Sequence, residues 1–472
     1  MSSFPKPSAQ LNRLPQELLS IICECLPRTD LKSLRCVSHR LKSSVNTRMF
    51  HTITLRVNTK SFQKLRNIAA DGELREIVRR ICYDGRTLLN IPVPNREIWQ
   101  QRIAGRGLVC KRQQFLAQFT DSELDGFYKN HCDYLAGQHF GMGPLCEEAL
   151  MKEVLSRLPM ITGVQFFLKE PTEATEVVSL SSLSQIGQEI LSEPDRYCNP
   201  DKDGRFWTLL RMACLSGHRY HLSSVEGRHL DMENWNALGF EYEDTYTNLP
   251  ALRKLSFHFH RNDWISRDDT KVLADFLAHS SRLQSLRLSF DNYKIRMGPP
   301  TFRLSYFAAN QHWECLNSLF LDGLIATEID LREFLAKHSA TLRTLELRHV
   351  VFESVICVDS SGQGQHLHGS FINFLTFLNQ NMSLEKVSFN GRLGNEWDEI
   401  WDVEAPDGGI NAGDCLKHKI ELFATRRGPF PFIPISEVSG KIAATHKDGG
   451  VPPWMFPEDF SWQFSSRAHV SY

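Results

Sequence analysis

FLAHSSRLQSLRL at residues 276–288 joins the end of one element to the start of the next, and the join recurs. FLAKHSATLRTLEL at 334–347 and FLNQNMSLEKVSF at 377–389 keep the same order: an apolar pair, a polar stretch containing Ser, then Leu-x-x-Leu-x-Leu or its Val/Phe equivalent. The last six residues alternate apolar and polar, the period of a strand with one face buried. The piece before them is helical, because Val272, Leu273, Phe276 and Leu277 share one face of residues 268–279. Two more strands of this pattern occupy 252–257 and 316–321, so five copies begin at 252, 283, 316, 342 and 384. Each strand-helix unit leaves an apolar side that only a neighbouring unit can cover, so the units must stack.

Alternation turns the second Leu and the final apolar residue of each strand inward. The positions between and after them line a common outer face: Lys254, Ser256 and His258; Ser285, Arg287 and Ser289; Ser318, Phe320 and Asp322; Thr344, Glu346 and Arg348; Lys386, Ser388 and Asn390. This face is polar and mixed in sign, which suits mixed polar recognition better than a dedicated phosphate pocket. Phe320, an apolar ring at an outward position beside Glu346, Arg348 and Lys386, has the composition of a binding hot spot. The structural alternative is that Trp454 or Trp462 folds back to cover it. The repeat resembles the leucine-rich repeat, with longer and less regular units and with Asn390 alone directly following a strand where the family carries Asn or Cys. The resemblance implies an irregular α/β solenoid with a parallel sheet.

Weaker copies precede these five. Residues 51–57, the helix SFQKLRNIAA and residues 76–82 read as strand, helix and strand, and residues 158–168 read as another strand. Residues 95–157 between them read as a helical insertion anchored by Phe127, Tyr128, Tyr134 and Leu135. The Ser-, Glu-, Pro- and Asp-rich stretch 170–205 reads as a loop, and residues 1–10 as a flexible start. After 402 Gly-Gly and Pro-Pro pairs break any long element; a short helix near 413–424 can cap the array. The tail with Trp454, Phe456, Phe460, Trp462 and Phe464 is too aromatic for ordinary disorder.

Residues 11–50, LNRLPQELLSIICECLPRTDLKSLRCVSHRLKSSVNTRMF, read differently, as two amphipathic helices. Pro15 is placed in the first turn of one helix, where no intrahelical donor is lost. Leu18, Ile22 and Leu26 form its stripe, with Leu19 beside them, and Pro27 stops it. Asp30 is placed to cap the second helix, whose apolar residues are Leu31, Leu34, Val37, Leu41 and Val45. So small a unit makes only a marginal core, so part of its apolar surface is meant for other residues or for a partner. The stretch resembles the F-box through Leu14-Pro15, Glu17-Leu18-Leu19, Ile21-Ile22, Leu26, Asp30-Leu31, Leu34, Val37-Ser38 and Arg40-Leu41. It departs at Met49-Phe50, where many members have Leu-Trp. The resemblance implies docking onto a Skp-type adaptor and through it a cullin, with Leu14, Pro15, Leu18, Ile22 and Leu34 as the adaptor face. The wider layout, with an insertion behind the first unit, is similar to large F-box families of filamentous fungi.

The 472 residues suggest two or three structural units. Lys plus Arg number 54 against 55 acidic residues, a balance that argues against a general nucleic-acid or membrane-surface binder. No apolar run nears the roughly 20 residues of a membrane span, and MSSFPKPSAQ lacks the apolar core of a signal peptide. The 12 cysteines form no CxxC pair and read as reduced thiols of a cytosolic or nuclear protein, where the Asn381-Met382-Ser383 sequon goes unused.

No catalytic motif stands out. Residues 198–204, CNPDKDG, lack the later ligands of a calcium loop and read as a surface turn. Cys214, His218 and His221 lack the fourth ligand of a structural zinc site, and His366 and His368 fall in a Gly-rich stretch read as a loop. The expectation is a non-enzymatic substrate receptor with no cofactor and no metal, binding an adaptor and an unknown protein target. The alternative is a leucine-rich-repeat scaffold unconnected to ubiquitin, with the helical hairpin as its N-terminal cap. A third option binds the adaptor without joining a cullin.

Overall fold

The computed structural model describes residues 11, 14–85, 95–105, 119–139, 144–167, 205–218, 221–231, 249, 251–260, 270–291, 302–308, 311–353, 355–358, 364–367, 370–395, 400–402, 416–431, 433–434 and 454–455. Two compact units divide the chain: residues 1–229 with 244–246, and residues 230–243 with 247–472.

The first unit opens with α1 (Gln16–Cys25), α2 (Arg28–Leu34) and α3 (His39–Phe50). Three helices stand where the pattern predicts two. The expected second helix breaks at residues 35–38 because Ser38 is extended and its hydroxyl accepts the Leu41 N–H at 3.2 Å, capping a new helix. Asp30 is therefore not a cap; Pro27 holds that position and Asp30 lies in the first turn, where its charge suits the positive helix end. Pro15 likewise stands at the cap of α1, one position before its first turn.

Behind the helices, β1 (Thr52–Arg56), β2 (Arg80–Asp84), β3 (Gly163–Phe167) and β4 (Ser224–Asp231) pair in parallel in sequence order. The strand β2 starts later than the pattern suggests, because Asp71 Oδ1 accepts the N–H groups of Glu73 and Leu74, both at 2.9 Å, and holds a turn there. Helix α4 (Thr59–Ala70) follows β1, and the helix Arg205–Leu215 precedes β4. Their rings meet those of the strands: Phe62 with Tyr83, Tyr83 with Phe166 and Phe166 with Phe206, at 5.8–6.5 Å between centroids. The insertion contains the helices Arg96–Gly105, Asp121–His139 and Pro144–Leu155. Of its expected anchors, Tyr128 packs 6.0 Å from Trp99. The side chains of Phe127, Tyr134 and Leu135 lie outside the described residues, as do residues 1–10 and all of the expected loop except Arg205.

In the second unit β5 (Lys254–His260), β6 (Ser285–Asp291), β7 (Ser318–Ala326), β8 (Thr344–Phe352) and β11 (Lys386–Asn395) are neighbours in that order, all parallel. The short β12 (Ile400–Asp402) runs antiparallel at the end of β11. Register aligns the five copies residue for residue. Leu255, Leu286, Leu319, Leu345 and Val387 form one buried row, and Phe257, Leu288, Leu321, Leu347 and Phe389 the next. The helices Lys271–His279, Glu328–Lys337 and Phe371–Asn381 bury Leu273, Phe276, Phe334, Leu335, Phe374 and Leu378. Trp313 is fully buried; its ring N–H donates to the Leu277 carbonyl at 3.1 Å and its face stacks on His338.

Three strands outrun the repeat pattern. Just beyond Asp322, Arg348 and Asn390 the chain turns left-handed, at Gly323 (φ 76°), His349 (φ 48°) and Gly391 (φ 63°). That turn resets the alternation, so the buried positions of β8 step from Leu345 and Leu347 to Val350 and Phe352. Glycine at 391 is favoured on two counts: its φ is positive, and a Cβ there would crowd the His349 ring.

The pair β9 (Val355–Val358) and β10 (Gly364–Leu367) is antiparallel, so His366 belongs to a strand and not to the expected loop; His368 lies outside the described residues. The helix Leu416–Ala424 appears where a capping helix is expected and packs on β11, with Glu421 Oε1 accepting the Phe389 N–H at 3.2 Å. Of the aromatic tail, Trp454–Met455 pairs antiparallel with Ile433–Pro434. Trp462, Phe456, Phe460 and Phe464 lie outside the described residues.

Candidate functional site

Two surfaces carry the chemistry available for binding. In the helical unit, Leu19 and Cys23 of α1 point inward, and Cys23 packs with Leu31, Val45 and Met49. Leu26, Leu34 and Phe50 close on that cluster. Phe50 therefore fills the place where the related pattern has Trp, with the Arg35 guanidinium 5.2 Å above its ring. Gln16 Nε2 donates to Ser44 Oγ at 2.9 Å and ties α1 to α3.

The face of α1 turned away from this core is apolar and open. Leu18 is 46% exposed, Ile21 55%, and Val37 beyond α2 66%. Pro15 is exposed, while Leu14 and Ile22 are half-buried. Of the five residues proposed from sequence, Leu18 and Pro15 stand fully on the surface, Leu14 and Ile22 at its margin, and Leu34 belongs to the helices' own core. Sequence reasoning passed over Ile21 and Val37. The buried row is Leu19–Cys23, one step round from the Leu18–Ile22 stripe. Apolar residues at 18, 19, 21, 22, 23 and 26 cover two faces of one helix, so periodicity alone does not say which face is buried.

The family comparison falls on these helices: the F-box domain matches residues 11–53. Residues 11–53 are an F-box domain. At the family level an F-box marks an adaptor-binding receptor subunit of ubiquitin ligases. No curated protein matches the chain. The F-box is tied to the turn between α4 and β2: Asn46 Nδ2 donates to Glu73 Oε1 at 3.2 Å, and Lys42 Nζ lies 3.4 Å from the same carboxylate.

The second surface is the outer face of β5–β8 and β11. Its rows are fixed by register: Lys254, Ser285, Ser318, Thr344 and Lys386; Ser256, Arg287, Phe320, Glu346 and Ser388; His258, Ser289, Asp322, Arg348 and Asn390. Phe320 departs from expectation. Its ring is 6% exposed, with the Arg287 guanidinium 3.6 Å from its centroid, so a cation from the next strand lies on a position that alternation turns to solvent. Asp322 accepts from Ser289 Oγ at 2.9 Å and stands 3.0 Å from His349 Nδ1. Asn390 Nδ2 donates to Glu346 Oε1 at 3.3 Å and to Ser388 Oγ at 3.2 Å, and Lys417 Nζ bonds Asn390 Oδ1. Burial raises the Glu421 carboxyl above its ordinary pKa, although the Phe389 N–H and Lys417 oppose the shift.

The other candidates resolve into structure. His218 is buried against the Leu155 carbonyl at 2.9 Å and burial lowers its pKa; Cys214 is buried and His221 exposed. Among the described residues no group of His, Cys, Asp and Glu could hold a metal ion, and no helix is long and apolar enough to cross a membrane. Residues 198–204 lie outside the described residues. Cys23, Cys25, Cys36, Cys82, Cys132, Cys214 and Cys315 are free, and burial pushes the Cys82 thiol up to about 12, far from a reactive thiolate.

Proposed function

We propose that this chain is the substrate-receptor subunit of a Skp–cullin–F-box ubiquitin ligase, working in the cytosol or nucleus. The observation that carries the reading is an F-box domain whose Leu18, Ile21 and Val37 form an exposed apolar surface. An apolar cluster of this kind beside a satisfied core is what a partner helix needs. The mechanism is proximity. The F-box fixes the chain to the adaptor, the outer strand face holds a target protein, and the raised local concentration of target lysines accelerates transfer by the bound conjugating enzyme. The receptor contributes no reacting group. Phe320, Glu346, Arg348 and Lys386 belong to the target face, with Phe320 beneath Arg287.

Co-expression with a Skp-type adaptor tests this reading. Stoichiometric recovery that survives moderate salt is expected. Its loss of at least about tenfold, 1.4 kcal/mol, is expected for Leu18→Ala with Ile21→Ala. One observation favours a second reading, in which the F-box helices serve as the cap of a repeat scaffold: Asn46 and Lys42 grip Glu73 behind β1 and α4. A chain that folds normally and recovers no adaptor would support that scaffold.

A further inference from the structure

The outer face of the second unit exposes its charges unequally. In its three aligned rows the acids are half-buried: Asp322 lies between Ser289 and His349, and Glu346 accepts from Asn390. Its cations Lys254, Arg287, Arg348 and Lys386 are all exposed. Arg287 is also held in place, its guanidinium carbon 3.6 Å over the centre of the Phe320 ring. A stacked guanidinium keeps its edge, with a fork of N–H donors, available to a carboxylate while losing little further freedom on binding. The geometry points to an acidic, extended peptide segment of the target as the occupant of this face, read by Arg287 and Arg348 at the centre and by Lys254 and Lys386 at the two sides. This deepens the receptor reading proposed above and rests on it.

The dimensions set the length of that segment. Lys254 and Lys386 lie on the first and last of five neighbouring strands, four intervals apart, which at about 4.8 Å per interval is roughly 19 Å. An extended chain advances about 3.3 Å per residue, so about six residues cross the face. Asp322 and Glu346 lie among the cations, which makes a patterned acidic segment a better fit than a uniform run of negative charge. In this arrangement Phe320 is a positioning residue. It touches Arg287, and Arg287 touches the ligand.

The test uses the full chain and a fluorescent peptide alternating Glu and Ser, long enough to cross the five strands, with its Lys–Ser counterpart and a single-stranded oligonucleotide as comparisons. Anisotropy should show the Glu–Ser peptide binding at least about tenfold more tightly than the Lys–Ser peptide, and weakening as salt rises. Arg287→Glu with Arg348→Glu should abolish that preference. Arg282→Glu, in the turn before β6, should leave it unchanged and so separates the face from overall charge. Phe320→Leu should weaken binding of the Glu–Ser peptide and reduce its advantage over the Lys–Ser peptide without changing adaptor capture. Equal binding of both peptides, an oligonucleotide bound as tightly as the Glu–Ser peptide, or indifference to the Arg287/Arg348 reversal would overturn the proposal. Adaptor capture on the same proteins reports the receptor reading separately, so either can fail without the other.

Discussion

The strands of the two units use their second face differently. In the first unit Cys82, Asp84, Phe167 and Arg56, on the face opposite Ile81, Tyr83 and Phe166, are buried, while Thr54 and Gln165 are half-buried. Polar groups on that face pair with one another, with Arg56 Nε 3.2 Å from Asp84 Oδ2 and Cys82 Sγ 3.1 Å from Gln165 Oε1. In the second unit the corresponding positions are polar, and Lys254, Arg287, Arg348 and Lys386 reach solvent. The same repeated topology thus serves one purpose in the first unit, internal packing, and another in the second, presentation of charge. The exposed charges are why target recognition is proposed for the second.

The largest effect that can break this comparison concerns the buried pair. Asp84→Asn strands the Arg56 guanidinium, whose Nη2 already has no hydrogen-bond partner, in a buried site. Losing one member of such a pair costs about 3–5 kcal/mol. Lys386→Ala on the second unit's outer face should stay within about 0.5 kcal/mol. Urea unfolding measures both; similar losses at the two positions would mean that the faces do not differ as described.

Next comes the alternation itself. Leu286→Ala and Leu345→Ala remove buried side chains from one row and should each cost about 2–5 kcal/mol. Arg287→Ala and Glu346→Ala, one residue along, should cost far less. Equal losses at all four would remove the strand assignment, and the common outer face with it.

That alternation explains what was legible. The five Leu-x-x-Leu-x-Leu strands could be read directly because one of their faces is polar, and their register matches the alignment of the copies. The first unit was fainter because Ile81-Cys82-Tyr83 and the Phe166-Phe167 pair are buried on both faces, and a strand buried twice shows no alternation. The left-handed step at Gly323, His349 and Gly391 escaped notice. Two in-strand glycines were its only signal, and His349 gave none. On the outer face Phe320 was found as an anomaly, but its cover lies on a neighbouring strand, and cross-strand pairing is not visible until the register is known. In the F-box, Ser38 three residues before Leu41 was the available sign of the helix break.

A smaller effect reaches both units at once. His338 Nε2 accepts the Trp313 N–H at 3.0 Å while Nδ1 donates to the Phe334 carbonyl at 2.8 Å, an arrangement that requires the neutral ring. Burial lowers the pKa of His338, and of His218 in the first unit, below the ordinary value of 6.5. The unfolded chain then takes up protons first as pH falls through that value, so stability is complete above it and declines below, by no more than about 1.4 kcal/mol per pH unit for each ring. Melting temperature followed from neutral into mildly acid buffer should fall, and the fall should shrink in His338→Asn. A profile that is flat across this range, or steeper in the variant, would show that these rings do not govern the acid limb.

The most direct measurement is adaptor capture by the intact chain, comparing the native protein with Leu18→Asp, Ile21→Asp and the double variant. None of these touches the Cys23–Leu31–Val45–Met49 core, so folding should persist by circular dichroism. The account predicts a stoichiometric complex for the native chain and at least about a tenfold loss for each single variant, with no complex for the double. Full-strength capture by a folded double variant would contradict the adaptor surface assigned here, and failure of the native chain to capture any Skp-type adaptor would contradict the receptor function itself.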